Sequence, residues 1–266
     1  MTYWLFIFGM CSGVTTWLFG FGGGFVTVPL IWLMVRGTEG VAEGHAMQIA
    51  VATSALVMLC SSLLATWKHC RTGGIRFLAI RHILAGVALG GVLGVFCARA
   101  VSDDWIRWLF IFYLSVTILD CYFRAGFMEP QSEKTLYGVF HELTVGSIIG
   151  LIAAFLGVGG SVMTVPLMRR RGATMAEAAA MANTLTLPLA VTASLTWLVM
   201  ARGETVDLPG GFIGYIWLQA ALLLVAGAWL GMRISARWLS RLPDKWHARI
   251  YPLLLIVVLL LMLLNK

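Results

Sequence analysis

Gly20-Phe21-Gly22-Gly23-Gly24-Phe25-Val26-Thr27-Val28-Pro29-Leu30 returns further along the chain as Gly157-Val158-Gly159-Gly160-Ser161-Val162-Met163-Thr164-Val165-Pro166-Leu167. With Pro29 laid on Pro166 the common pattern is Gly-x-Gly-Gly-x-x-x-Thr-Val-Pro-Leu, a match too long to come from a shared apolar composition. The chain reads as a duplication. Both copies lie inside long apolar segments, and paired glycine and proline breaks in the two halves of a membrane protein point to a transport site.

Composition supports the membrane reading independently. Of the 266 residues, 60% are hydrophobic and 12% charged, where soluble domains carry about half apolar and about a quarter charged. Apolar stretches consume nearly the whole length, so no soluble catalytic domain fits. The expected fold is an all-α polytopic membrane protein. Its apolar segments run over 2–35, 46–67, 83–98, 108–123, 143–168, 178–200, 212–232 and 250–264, four in each half. This divides the chain into a first repeat at 1–125, a linker at 126–137 and a second repeat at 138–266. A straight crossing takes about 20 residues, so 2–35, with glycines near its middle, is expected to be a broken element. The same segment has no basic leader and no small-residue cleavage site, so it is not read as a signal peptide.

Lysine and arginine are retained on the cytoplasmic side of short loops. If all eight segments cross once, the basic residues divide 11 against 8, which is no bias. If each glycine-broken segment returns to its own side, one side collects Lys68, Arg71, Arg76, Arg81, Arg124, Lys134, Arg169 to Arg171, Arg233, Arg237, Arg241, Lys245 and Arg249, and the split is 14 against 5. The second arrangement makes the halves inverted repeats, with both termini outside and the basic loops in the cytoplasm. It leaves Arg99 and Arg107 as the awkward charges. The net charge of +7 resides in these scattered loops, so no nucleic-acid partner is expected.

In lipid a broken backbone is tolerated only where it is buried in protein or lines a polar cavity. Gly22, Gly23 and Gly24 permit a break, after which Thr27 caps a helix beginning near Val28 and Pro29 occupies its first turn. The second half reads alike, with Gly159, Gly160 and Ser161 at the break, Thr164 as cap and Pro166 in the first turn. Helix N-termini carry uncompensated N–H groups and attract anions, so two such ends could converge on one anion site. The competing reading of such glycines is close helix packing. Gly86, Gly90 and Gly94, with Gly227 and Gly231 in the second half, are assigned to packing.

Two apolar halves, each opened by Gly-x-Gly-Gly and Val-Pro, resemble the sulfite exporter TauE/SafE family, also called the TSUP family, of bacterial membrane transporters. The resemblance implies a multi-pass protein of the inner (cytoplasmic) membrane that moves sulfite, sulfoacetate or related organosulfonates, mainly outward. It carries the substrate role onto Gly22, Gly23, Gly24, Thr27 and Pro29, and onto Gly159, Gly160, Ser161, Thr164 and Pro166. It implies no cofactor. The partners implied are a small anionic substrate and the lipid bilayer, with a homodimer left open. Donor groups of moderate strength suit a sulfonate, because a strong permanent ion pair would hinder release.

Other polar residues within the spans are further candidates. Laying Val41-Ala42-Glu43 on Met175-Ala176-Glu177, and Ala46-Met47 on Ala180-Met181, brings Gln48 near Asn183. Either amide could line a substrate path or bond a neighbouring helix. Pro188 frees a backbone carbonyl beside Asn183-Thr184. Glu43 and Glu177 begin segments, where a carboxylate complements the helix dipole. His141, Glu142 and Asp120 are candidates for proton coupling, or else an interfacial pair and a carboxylate reaching water. Arg81 and Arg124 could add positive charge to a cytoplasmic vestibule.

Cys11, Cys60, Cys70, Cys97 and Cys121 make no C-x-x-C pair and no metal spacing with His69 or His82. Tryptophans near segment ends, such as Trp4, Trp32, Trp67, Trp105, Trp108 and Trp246, read as interfacial anchors. Ser54, Ser61, His45 and His69 fall into no Gly-x-Ser-x-Gly elbow or His-Glu-x-x-His pair, so the protein is not read as an enzyme. A permease for another small anion or a metal cation is the alternative, although a cation site would call for buried carboxylates or histidines.

Overall fold

The computed structural model describes residues 2–37, 43–72, 77–124, 127–128, 138–201, 211–238 and 242–264. The linker positions 126 and 129–137, together with Arg76, Lys134 and Arg241, lie outside the described residues, as does the side chain of Glu43. Ten α-helices follow in order among the described residues: α1 Thr2–Phe19, α2 Gly24–Arg36, α3 Ala46–Thr72, α4 Phe77–Ala100, α5 Asp103–Phe123, α6 Val139–Leu156, α7 Ser161–Arg170, α8 Met175–Ala201, α9 Leu218–Trp238 and α10 Asp244–Leu264. Seven are long and apolar enough to cross a membrane: α3, α4, α5, α6, α8, α9 and α10.

Residues 212–217 depart from the expected helical segment. They form a two-stranded antiparallel hairpin, β1 Phe212–Ile213 paired with β2 Ile216–Trp217. Gly211 and Gly214 hold φ of +107° and +55°, conformations that turn the chain before α9 begins. The hairpin dips into the bundle, where the Trp217 N–H donates to Thr53 Oγ1 of α3 at 2.9 Å.

Both broken segments turn back on themselves. Arg171, just past the end of α7, donates to Glu142 in the first turn of α6 at 3.2 Å, so α6 and α7 form a hairpin. Glycine packing fixes the direction of α1. Gly9 lies against Leu224 and Gly13 against Ala228, so α1 runs parallel to α9. Gly86, Gly90 and Gly94 of α4 meet Leu143, Ser147 and Leu151 of α6 in the same parallel sense. The packing role read for Gly86, Gly90, Gly94, Gly227 and Gly231 is the observed one, since each would drive a Cβ into main-chain atoms of the facing helix.

Hydrogen bonds and ion pairs identify the two ends of the bundle. At one, Asp103 accepts the Met47 N–H, Arg107 donates to the Met262 carbonyl at 3.0 Å, and Arg36 and Arg107 both lie over the Trp32 ring. This contact explains the awkward Arg107, which complements the C-terminal dipole of α10. At the other end Arg169 pairs with Asp244, Arg170 with Asp120, and Glu142 with both Arg171 and His82. Lys68, Arg233 and Arg237 also lie there around an opening of about 550 Å³. The α1–α2 hairpin opens toward the first end and the α6–α7 hairpin toward the basic end.

Candidate functional site

The first break is Gly20 to Gly23, where Gly22 and Gly23 adopt φ of +62° and +93° that a residue with a Cβ would resist. The second is Gly157 to Gly160, with Gly157 left-handed at φ +67°. The helices that follow start earlier than the sequence suggested. They begin at Gly24 and Ser161 rather than near Val28 and Val165, because the glycines alone supply the break.

Two expected roles change as a result. Thr27 is no N-cap: one turn inside α2, its hydroxyl donates back to the carbonyls of Gly23 and Gly24 at 3.0 and 3.1 Å. Thr164 holds the same position in α7, and its buried Oγ1 has no partner among the described residues. Pro29 and Pro166 sit inside their helices, past the first turn. Each therefore removes one i to i−4 bond, freeing the carbonyls of Phe25 and Val162. Tyr251 of α10 answers the second, its hydroxyl lying 3.3 Å from both the Ser161 and Val162 carbonyl oxygens.

The structure brings the two breaks together. A Cβ on Gly24 would stand 2.5 Å from the Gly157 carbonyl oxygen, and one on Gly159 would stand 3.3 Å from the Phe21 carbonyl oxygen. Gly22 and Gly159 both press on the methyl of Thr186, a residue of α8 that the sequence reading passed over. Each break also leans on the opposite half: Gly20 on Ala179 and Ala182 of α8, Gly157 on Val51 and Ser54 of α3. Ser54 donates to the Gly157 carbonyl at 2.8 Å. Ser12 donates to the Gly23 carbonyl at 3.0 Å, and the Ser161 hydroxyl turns to the Gly159 carbonyl at 3.3 Å.

Asn183 is fully buried next to this region and donates to the Thr16 carbonyl near the end of α1 at 2.9 Å, while its Oδ1 has no partner among the described residues. Gln48 is placed elsewhere. It sits in the first turn of α3, where its Oε1 is 3.1 Å from His45 Nδ1. The Ala-Glu alignment that paired it with Asn183 is also displaced. Asp103 at the start of α5 accepts the Met47 N–H and Asp244 at the start of α10 accepts the Met175 N–H, both at 2.7 Å. These twin contacts set Met47 against Met175. Glu177 does cap, forming a reciprocal pair with Thr174 at the start of α8.

Asp120 pairs with Arg170 and Arg124, Glu142 with Arg171 and His82, and His141 is exposed. These groups cluster at the basic end, away from the breaks. The five cysteines are free thiols. Among the described residues no three His, Cys, Asp or Glu side chains gather as a metal site. A larger cavity of about 700 Å³ lies between α5, α6 and α7, walled by residues such as Leu109, Phe112, Ile148, Ile152 and Pro166. Its walls are mostly apolar and its arginines, Arg124 and Arg170, are paired with Asp120, so the candidate site is placed at the breaks.

The bundle of apolar helices around two glycine breaks agrees with comparison to known proteins. The family model described as sulfite exporter TauE/SafE matches residues 5–263. The chain belongs to this family. A probable membrane transporter protein of Haemophilus influenzae is 26% identical over 259 residues, covering 97% of this chain and 96% of that one. A probable membrane transporter protein of Bacillus subtilis is 23% identical, covering 96% of this chain and 94% of the relative. One from Methanocaldococcus jannaschii is 22% identical, covering 88% and 86%. This TauE/SafE protein is a multi-pass membrane transporter, and the paired motif falls within the matched span.

Proposed function

We propose that this TauE/SafE protein exports a small sulfur-containing anion, sulfite or an organosulfonate such as sulfoacetate, across the cytoplasmic membrane. The two halves act as inverted repeats, and the substrate crosses where Gly22 to Gly24 meet Gly159 to Ser161. The basic end faces the cytoplasm and both termini lie outside.

One observation carries the preference for an anion. At the breaks two carbonyls that turn inward are already engaged: the Gly23 carbonyl receives Ser12 and Thr27, and the Gly157 carbonyl receives Ser54. Donors remain, since neither α2 nor α7 has a side-chain cap on its first N–H groups. A cation needs several converging acceptors, and the side-chain amide oxygen left without a partner there among the described residues is that of Asn183 alone. Lys68, Arg233 and Arg237 at the basic mouth would raise the local anion concentration.

The test is flux from proteoliposomes loaded in turn with sulfite, a small sulfonate and chloride under an imposed potential. Sulfite or sulfonate flux well above protein-free vesicles is expected. Absence of both, with folded protein, refutes the substrate, and uptake of a divalent cation instead would refute the anion class.

A further inference from the structure

We infer that the two breaks are unequal, and that a single oxyanion subsite lies at the amino end of α2, formed by Ser61 and the uncapped Gly23 turn that Ser12 holds in place. This rests on the anion-transport reading above and adds to it which residues hold the anion and how many anions are held.

A Cβ on Gly23 would meet Ser61 Oγ at 3.1 Å and Ser12 Oγ at 3.4 Å, so both hydroxyls lie close against the Gly23 turn. Both serines are buried, Ser61 with 1% of its surface exposed. Ser12 is held in place by its bond to the Gly23 carbonyl. Ser61 Oγ has no hydrogen-bond partner among the described residues. A buried hydroxyl is rarely left so, because its lost hydration goes uncompensated. Beside it begins a 13-residue helix whose cap, Gly23, offers no side-chain acceptor. An oxyanion bound there would accept from the Ser61 hydroxyl and from first-turn N–H groups of α2.

At the second break α7 is also uncapped and Thr164 Oγ1 has no partner among the described residues, but it is the Thr164 methyl, not its hydroxyl, that faces Gly160. The spacing that lays Pro29 on Pro166 lays Ser12 on Ile149. A Cβ on Gly160 would meet Ile149 Cγ2 at 3.1 Å and Ala153 Cβ at 3.9 Å, a hydrocarbon surround. The register that sets Met47 against Met175 puts Leu189 opposite Ser61. Where Gly23 meets two serine hydroxyls, Gly160 meets Ile149, Ala153 and the Thr164 methyl. The approach is charged to suit an anion. Lys68 lies two turns along α3 from Ser61, and its Nζ sits 4.6 Å over the Trp17 ring, which stacks on His69. This aromatic layer stands between the basic mouth and the serines.

The experiment is equilibrium dialysis of purified full-length protein with radiolabelled sulfite, and in parallel with phosphate, in detergent micelles. Wild type is expected to bind one anion per chain. Ser61→Ala is expected to weaken that binding at least tenfold and to melt without ligand at or above the wild-type temperature. Ser62→Ala, whose hydroxyl turns to Leu59, and Ile149→Val are expected to keep wild-type affinity. Affinity within twofold of wild type in Ser61→Ala overturns the subsite, as does a stoichiometry of two with loss of one site in Ile149→Val. Phosphate binding that Ser61→Ala abolishes, without sulfite binding, keeps the subsite and refutes the substrate proposed above. Failure of both anions to bind wild type overturns the subsite outright.

Discussion

Arg169 is the most deeply buried cation of the chain's described residues, with none of its surface exposed. Its Nε donates to the Phe127 carbonyl at 2.9 Å, Nη2 to the Met128 carbonyl at 3.1 Å, and Nη1 to the Ala173 carbonyl at 3.2 Å and to Asp244 Oδ2 at 2.9 Å. One side chain thus ties the end of α7 to the start of α10 and to the chain leaving α5. Arg169→Met keeps comparable length and removes every donor. Stranding a buried acceptor costs about 1–3 kcal/mol, and removing one partner of a buried ion pair costs about 3–5 kcal/mol. Because the Asp244 side chain is 37% exposed, water takes over part of its share, and the low end, about 3 kcal/mol, is the expected loss. Asp244→Asn should cost less, about 1–3 kcal/mol, since Oδ2 accepts the guanidinium and Oδ1 the Met175 N–H, and the single amide oxygen replaces only one of them. Equilibrium unfolding in mixed micelles, followed by tryptophan fluorescence, measures both. An Arg169→Met variant within about 1 kcal/mol of wild type, or an Asp244→Asn variant costing more than Arg169→Met, would refute the reasoning.

Gly146→Ala should impair folding, because its Cβ would stand 2.5 Å from the Ile83 carbonyl oxygen and within 3.2 Å of the Ile83 and Gly86 Cα atoms of the facing helix; loss of the monodisperse peak in size-exclusion chromatography checks this, and an unchanged peak counts against it. Thr27→Val should destabilise by about 1 kcal/mol through loss of the back-bond to Gly23, whereas Thr164→Val, whose hydroxyl has no partner among the described residues, should leave stability unchanged. Comparison of the two melting temperatures decides it. Single cysteines at Lys68 and Arg171, in a background without the native thiols, should react with an impermeant reagent from the same side of sealed vesicles, opposite to a cysteine at Arg36. Labelling of Lys68 and Arg171 from different sides would contradict the hairpin direction.

The duplicated motif announced both broken segments, and the spacing of Gly86, Gly90 and Gly94 announced a packing face, because these features are local and written in consecutive turns. What escaped sequence reading depends on contacts between distant segments. Nothing near Met47 says that Asp103 will cap it, and nothing near Met175 points to Asp244. Without those anchors the repeated Ala-Glu pair set the α3 and α8 registers almost two turns apart from the observed one. The helix starts were misplaced because Thr and Pro at Thr27 and Pro29 imitate a cap and first turn, yet the glycines before them already suffice to end one helix and begin the next. Thr186, Ser12 and Ser61 carry no motif. They join the candidate site only when α1, α3 and α8 close around the breaks, although the swap of Ser12 for Ile149 was visible once the repeats were aligned.

The placement of charge bears on how transport is driven. Asp120, Glu142, Asp244 and their arginine partners are held in ion pairs at the basic end, and the groups that line the breaks are hydroxyls, an amide and backbone. No carboxylate touches Gly20 to Gly24 or Gly157 to Ser161 in the described contacts. On the export proposed above, uniport driven by the membrane potential needs no titrating group at the breaks. An anion leaving a negative-inside cell gains about 2.3 kcal/mol per charge per 100 mV, enough to hold an outward gradient of roughly fiftyfold for a monovalent ion. Efflux from vesicles should therefore rise steeply with an imposed potential and stay unchanged when a pH gradient is added at fixed potential. Glu142→Gln and Asp120→Asn should weaken the basic-end network without altering that voltage dependence. Efflux that follows the pH gradient and is lost in either variant would return these carboxylates to the transport cycle as proton carriers.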